Sequence, residues 1–146
     1  MLQPKRTPFR KYQKMKGSFE KIATTGELMF GTYGIQALGP CKLPARSLEA
    51  ARRVITRTLK RQGKLYIRVF PDVIVTRKPQ EVRMGKGKGN PHHWIARVRK
   101  GEVLFEMSRV PKTAAQEACA LLSEKFRVPL RFIDRSHGLT QWGTEN

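Results

Sequence analysis

The sequence predicts an α+β fold, an antiparallel or mixed sheet with two helices packed on one face. Two observations carry that expectation. Apolar residues recur at helical spacing in two segments, Leu43 to Gln62 and Ala114 to Phe126. Segments of alternating apolar and polar residues lie before, between and after them, which is the order of an α+β chain. A basic arm over residues 1–26 leads into a single domain over 27–133, and a polar tail over 134–146 follows.

The arm carries Lys5, Arg6, Arg10, Lys11, Lys14, Lys16 and Lys21 among Phe9, Tyr12 and Phe19. Its apolar positions fit neither period, and Pro4 and Pro8 oppose an early helix. Cations interleaved with aromatics suit an arm that becomes ordered on RNA; a disordered solubilising tail is the bland alternative. From Glu27 to Leu38, an imperfect alternation of Leu28, Phe30, Tyr33, Ile35 and Ala37 is broken by Gly31 and Gly34, predicting one or two irregular strands. In the first helix, Leu48, Ala51, Ile55 and Leu59 share the core face, Pro44 suits the first turn and Gly63 the stop. Arg46, Arg53, Arg57 and Lys60 share another face, broken only by Glu49. A solvated face is the ordinary reading of such a row, but mutual repulsion favours phosphates opposite it.

Leu65, Ile67 and Val69 alternate with Tyr66, Arg68 and Phe70 as a strand, Pro71-Asp72 turns the chain, and Val73 to Thr76 forms a short further strand. Lys78 to Pro91 is a loop. Trp94, Ala96 and Val98 then face one way and Arg97 and Arg99 the other. The turn at Lys100-Gly101 leads into Val103 to Met107, which predicts a hairpin. Ala114, Ala115, Ala118, Leu121, Leu122 and Phe126 form the second helix, stopped before Pro129, and Leu130 to Ile133 returns as a strand. In the tail, Leu139 and Trp142 are able to dock locally.

Charge decides the class of partner. Thirty Lys and Arg against eleven Asp and Glu give a formal net charge of +19 over 146 residues, with a lean hydrophobic fraction of 39%. A polyanion is the simplest way to offset so much self-repulsion. A membrane is the weaker candidate, because no apolar run nears the roughly 20 residues that span a bilayer and no basic amphipathic anchor stands out. Nucleic acid remains. The passage best suited to it is Arg83-Met84-Gly85-Lys86-Gly87-Lys88-Gly89-Asn90. Its alternating glycines let the backbone approach a phosphodiester chain, while Arg83, Lys86 and Lys88 supply charge there.

Catalytic chemistry finds little support. Asp134, Ser136 and His137 are triad residue types crowded into one short stretch, whereas a triad gathers from separated positions. His92-His93 has no third ligand at zinc spacing, and the glycine-lysine loop lacks the Walker pattern. Cys41 and Cys119 form no paired framework and suit reduced thiols in an intracellular compartment. No metal and no other cofactor is expected. An RNA-modifying or RNA-cleaving enzyme and a DNA-packing protein are the rivals that would also need a basic face.

The wording of the sequence adds to its averages. Met1-Leu2-Gln3-Pro4-Lys5-Arg6-Thr7, Glu49-Ala50-Ala51-Arg52-Arg53 and Arg61-Gln62-Gly63-Lys64 occur in that order. Ile67-Arg68-Val69-Phe70-Pro71-Asp72, Val82 to Asn90 and Phe105-Glu106-Met107 follow. Together they resemble the bacterial-type large-subunit ribosomal protein L-sixteen family over roughly Met1 to Ile133. The resemblance implies an architectural, non-enzymatic α+β domain bound to large-subunit ribosomal RNA among neighbouring large-subunit ribosomal proteins. It places the domain close to the aminoacyl-tRNA site and the peptidyl-transferase region, with no membrane partner. It also implies that the loop Val82 to Asn90 projects toward the tRNA cleft and that the arm runs into RNA.

On this basis Lys5, Arg6, Arg10, Lys11, Lys14, Arg46, Arg53, Arg57 and Lys60 are expected to meet ribosomal RNA phosphates. Arg83, Met84, Gly85, Lys86, Gly87, Lys88 and Gly89 are expected to reach toward the aminoacyl-site tRNA. The sequence departs from the family where Pro44 replaces a common capping Ser or Thr, and where His92-His93 replaces an acidic-aromatic pair. Trp94 to Val98 and Leu104 to Met107 look closest to mitochondrial versions. The family's own opening words stand at Met1, so a protein made inside the organelle is expected, with a bacterial cytoplasm as the alternative.

Overall fold

The computed structural model describes residues 2–13, 22–23 and 26–135. In chain order the elements are β1 (Tyr33–Ala37), β2 (Cys41–Pro44), α1 (Ala45–Thr58), β3 (Lys64–Ile67), β4 (Val73–Arg77), β5 (Asn90–Val98), β6 (Val103–Ser108), α2 (Lys112–Lys125) and β7 (Leu130–Asp134). The α+β class and the two helices stand as the sequence predicts. The strands divide between two antiparallel sheets, a four-stranded one in the order β3-β6-β1-β7 and a three-stranded one in the order β2-β5-β4.

The core forms where the helical stripes meet the sheets. Leu48, Ala51, Ile55 and Leu59 of the first helical segment are all buried, as their spacing requires. They cluster with Ala115, Ala118 and Leu122 of α2, with Ile35, Phe105 and Met107 of the larger sheet, and with Leu43, Ala96 and Val98 of the smaller. Side chains as fully enclosed as Phe105, Leu48 and Leu122 stabilise the fold by about 1.5–3 kcal/mol each. Leu121, expected on the core face of α2, is exposed.

The expected hairpin after Val98 is corrected by the sheet order, which puts β5 and β6 in different sheets. The turn itself forms, with the Glu102 N–H donating to the Arg99 carbonyl at 3.2 Å and the Arg99 N–H to the Glu102 carboxylate at 2.8 Å. Beyond it β1 captures the chain, because Gly101 N–H donates to Ala37 O at 2.7 Å and Ala37 N–H to Glu102 O at 2.9 Å. β5 already has β2 and β4 on its two edges, and β6 has β1 and β3. Pairing β5 with β6 would displace a neighbour on each. The hairpin that does form joins β4 to β5, pairing Arg77 with Asn90, and carries the glycine-lysine loop at its end.

Two boundaries also differ from expectation. The strand β2, which the sequence reading did not anticipate, runs directly into α1, and its Pro44 is the extended residue before the helix rather than part of the first turn. At the other end α1 stops at Thr58, ahead of Gly63, because Lys60 and Arg61 take left-handed backbone conformations, with φ of 49° and 62°.

A buried carboxylate anchors the larger sheet. Glu106, on β6 between Tyr66 of β3 and Gly34 of β1, has no solvent exposure. The N–H groups of Met29, Phe30 and Gly31 donate to it at 3.2, 2.7 and 2.7 Å, and the Arg68 guanidinium pairs with it as well. The incoming segment lies so close to β6 that a Cβ on Gly31 would stand 2.6 Å from Met107 O. Burial pushes this carboxyl upward. The hydrogen bonds from Gly31, Phe30, Met29 and Arg68 outweigh burial and hold its pKa below the ordinary carboxylate value.

The folded carboxyl therefore holds a proton less tightly than an unfolded one near 4.3. Its stabilisation is complete above that value and is lost as pH falls through the folded pKa. Glu106→Gln is expected to lower the unfolding free energy by about 3 kcal/mol at neutral pH, and to flatten the fall in urea midpoint below about pH 4.3. Urea titrations across pH check both, and an unchanged neutral midpoint contradicts the clasp.

Candidate nucleic-acid interface

The basic face of the first helical segment survives folding. Arg46, Arg53, Arg57 and Lys60 are all exposed. Glu49, which interrupts them in sequence, is engaged along the helix. Arg52 donates to its carboxylate through Nη2 at 2.7 Å and Nε at 2.9 Å, and Arg53 through Nε at 3.3 Å. The Arg52 hydrogen bonds, with the two nearby positive charges, draw the Glu49 carboxyl down to about 2. The Arg53 side chain nonetheless remains 72% exposed and able to take a second anion.

Past the helix, Lys60 and Arg61 sit in a backbone region that costs an L-residue roughly 1–2 kcal/mol. Lys60 N–H donates to Arg57 O at 3.0 Å and Arg61 N–H to Thr56 O at 2.9 Å, which hold the turn. The result is a cationic corner of Arg57, Lys60, Arg61 and Lys64, all exposed. Sequence reading did not single out Arg61 or Lys64 as site residues. Their position just past a helical cation row was the available signal.

The glycine-lysine loop spans the gap from β4 to β5, with Glu81 to Lys88 exposed. Gly85 and Gly87 have φ of +95° and +86°, and no atom stands within 4 Å of where a side chain would begin. These two glycines answer a backbone requirement and leave the space around them open. Gly89 answers a packing requirement, since its Cβ would lie 2.7 Å from the Arg77 carbonyl at the loop base. Lys86 shares the left-handed conformation, with φ of 52°, and the Lys78 ammonium donates to Gly85 O. Arg83, Lys86 and Lys88 are exposed, and Met84 is 94% exposed.

The structure joins two segments that the sequence reading treated separately. Lys11 Nζ donates to Lys88 O at 3.0 Å, and Lys88 Nζ donates to Tyr12 O. Lys5, Arg6 and Arg10 are exposed on the same arm, whose Leu2 packs against the core and whose Ala23 N–H donates to Lys100 O at 2.8 Å. Lys14, Ser136, His137 and the remainder of the tail lie outside the described residues.

Other chemistry has little to work with. His92 and His93 bring their Nδ1 atoms to 2.7 Å, and burial, then His92, then Arg46 lower the His93 pKa, so this pair disfavours a second proton. Among the described residues no three His, Cys, Asp or Glu side chains gather as a metal site, and no helix is long and apolar enough to cross a membrane. An open cleft of about 300 Å³ between the end of α1 and the start of α2 is lined by Thr58, Lys60, Gln62, Thr113 and Glu117, with one carboxylate among them.

Two antiparallel sheets, two packed helices and a cation-rich exterior define a small basic α+β protein. The family model for ribosomal protein L16p/L10e matches residues 4–133, and the chain belongs to that family. It is accordingly a structural constituent of the large ribosomal subunit, acts in translation, and comes from a family that is typically non-enzymatic.

The Glu49 geometry carries its own test. At about pH 3.5, between the lowered value and the ordinary one, the wild-type carboxyl is expected to stay ionised and that of Arg52→Ala to be mostly protonated. Carboxyl NMR reads the difference directly, and equal protonation in the two proteins would contradict it.

Proposed function

We propose that this chain binds large-subunit ribosomal RNA through its arm and the outer face of α1, and uses the glycine-lysine loop to help organise the aminoacyl-tRNA site near the peptidyl-transferase centre. The observation that carries the reading is the union of arm and loop through Lys11, Tyr12 and Lys88, beside a helix face whose cations are left without acids. Arg46, Arg53, Arg57 and Lys60 pair with phosphates and fix the domain in place, with Lys5, Arg6, Arg10 and Lys11 extending that contact along the arm. Arg83, Lys86 and Lys88 reach farther on a backbone that glycine leaves bare. RNA performs the peptide-bond chemistry, and the protein steadies the folds that hold the acceptor-side tRNA. The likeness of Trp94 to Val98 and Leu104 to Met107 to mitochondrial versions supports a mitochondrial ribosome as the setting.

Counterion release sets the first test. Affinity for a large-subunit RNA fragment is expected to fall steeply with salt, and the triple variant Arg53→Gln, Arg57→Gln, Lys60→Gln to flatten the log–log slope by about 3, one unit per phosphate released. A slope unmoved by the triple variant would remove the α1 face from the interface.

The loop has a separate test. Gly87→Val forces a β-branched residue to a φ of +86°, whereas Lys88→Arg keeps charge and backbone. Large subunits carrying Gly87→Val are expected to accept aminoacyl-tRNA at least several-fold more slowly than those carrying Lys88→Arg. Equal tRNA acceptance would show that loop conformation is irrelevant there.

A further inference from the structure

Lys64, Tyr66 and Arg68 alternate along β3 and its continuation, so they share one face of an edge strand. The Arg68 N–H donates to Leu104 O at 3.0 Å, which keeps the chain extended beyond Ile67. Phe30 lies on Tyr66 with ring centroids 5.5 Å apart and planes 25° from parallel. The Lys64 ammonium is 5.0 Å from the Tyr66 centroid, and the Arg68 guanidinium is 5.5 Å from that of Phe30. Phe30 is nevertheless 56% exposed, and its neighbours Met29 and Phe70 are 62% and 50% exposed.

A lone exposed phenylalanine is ordinary. This one is held rigidly. Its own N–H and those on either side are bound to the buried Glu106, and Arg68 bonds both Glu106 and, at 3.3 Å, the Met29 sulfur. An aromatic face fixed in water at low entropic cost, with a cation on its rim, matches one chemistry in particular. An unpaired nucleobase supplies the π face, and its phosphate supplies the charge for Lys64 and the nearby Arg61. A base inside a duplex hides its face. An apolar protein side chain gains nothing from the ammonium groups.

We propose that Phe30, backed by Tyr66 and flanked by Lys64, is a stacking site for a single unpaired RNA base. This rests on the RNA-binding reading above and adds a subsite outside the arm, the α1 face and the loop. Arg68 is a positioning residue, held by Glu106 and aimed at the Phe30 ring.

The test uses the full chain with two probes, a fluorescein-labelled oligouridylate and a blunt RNA duplex of the same length. Phe30→Leu and Tyr66→Leu retain apolar contact and remove the ring, with circular dichroism and urea midpoints confirming the fold. Each is expected to weaken oligouridylate binding about tenfold and duplex binding by less than twofold, while the α1 triple variant weakens both. Independently of any variant, oligouridylate containing 4-thiouridine is expected to cross-link to Phe30 or Tyr66 of the wild-type chain under ultraviolet light. Unchanged oligouridylate binding in the leucine variants, or cross-links confined to other residues, overturns the stacking site while the α1 result keeps the RNA-binding reading. Failure of the wild-type chain to bind either probe overturns both.

Discussion

A carboxylate sealed from water needs every lone pair answered, and Glu106 is answered by three main-chain N–H groups and one guanidinium. That requirement fixes more than a side chain. It lays residues 29–31 across β6, demands glycine at position 31, and turns Phe30 outward onto Tyr66. Through Arg68 it also extends the edge strand β3 beyond its paired residues. Without Glu106 the same N–H groups would be covered with nothing to receive them, a cost comparable to losing the whole pair. The outer face of the larger sheet therefore depends on one acid on an interior strand.

The other described acids that make bonds follow the same logic. Glu102 closes the turn at which the chain leaves the smaller sheet for the larger, Asp134 takes Lys112 at 2.9 Å, and Glu49 ties Arg52 to α1. With eleven acids against thirty cations, those drawn into internal bonds leave the exterior still more one-sided than the net charge of +19 conveys. Isolated, such a surface repels itself; beside RNA, the same repulsion becomes affinity. A structural place in the large ribosomal subunit, given by the family, is the setting in which this division makes physical sense.

Much of this was legible in the sequence because it is local. The core stripe Leu48-Ala51-Ile55-Leu59, the exposed row Arg46-Arg53-Arg57-Lys60 and the open loop at Gly85 and Gly87 follow from helical period and glycine spacing. Non-local facts were not legible. The turn at Lys100-Gly101 was visible, yet competition for strand edges sent β5 and β6 to different sheets. Pairing of Lys11 with Lys88 spans most of the chain, and no periodicity encodes it. Glu106 looked like one polar residue in an apolar strand, because its partners at 29–31 and 68 are brought to it only by the sheet. The alternation of Lys64, Tyr66 and Arg68 was readable as a strand, but its value as a surface required Phe30 to be placed upon it.

The central claim is that the unneutralised cations of α1 and the loop face ribosomal RNA in the assembled particle. An electron cryo-microscopy map of large subunits containing this chain tests it most directly. The account predicts phosphate oxygens within hydrogen-bond reach, about 2.7–3.2 Å, of Arg53, Arg57 and Lys60, with the tip at Met84 enclosed by the particle. A map in which that helix face and that tip both look into bulk solvent would contradict it.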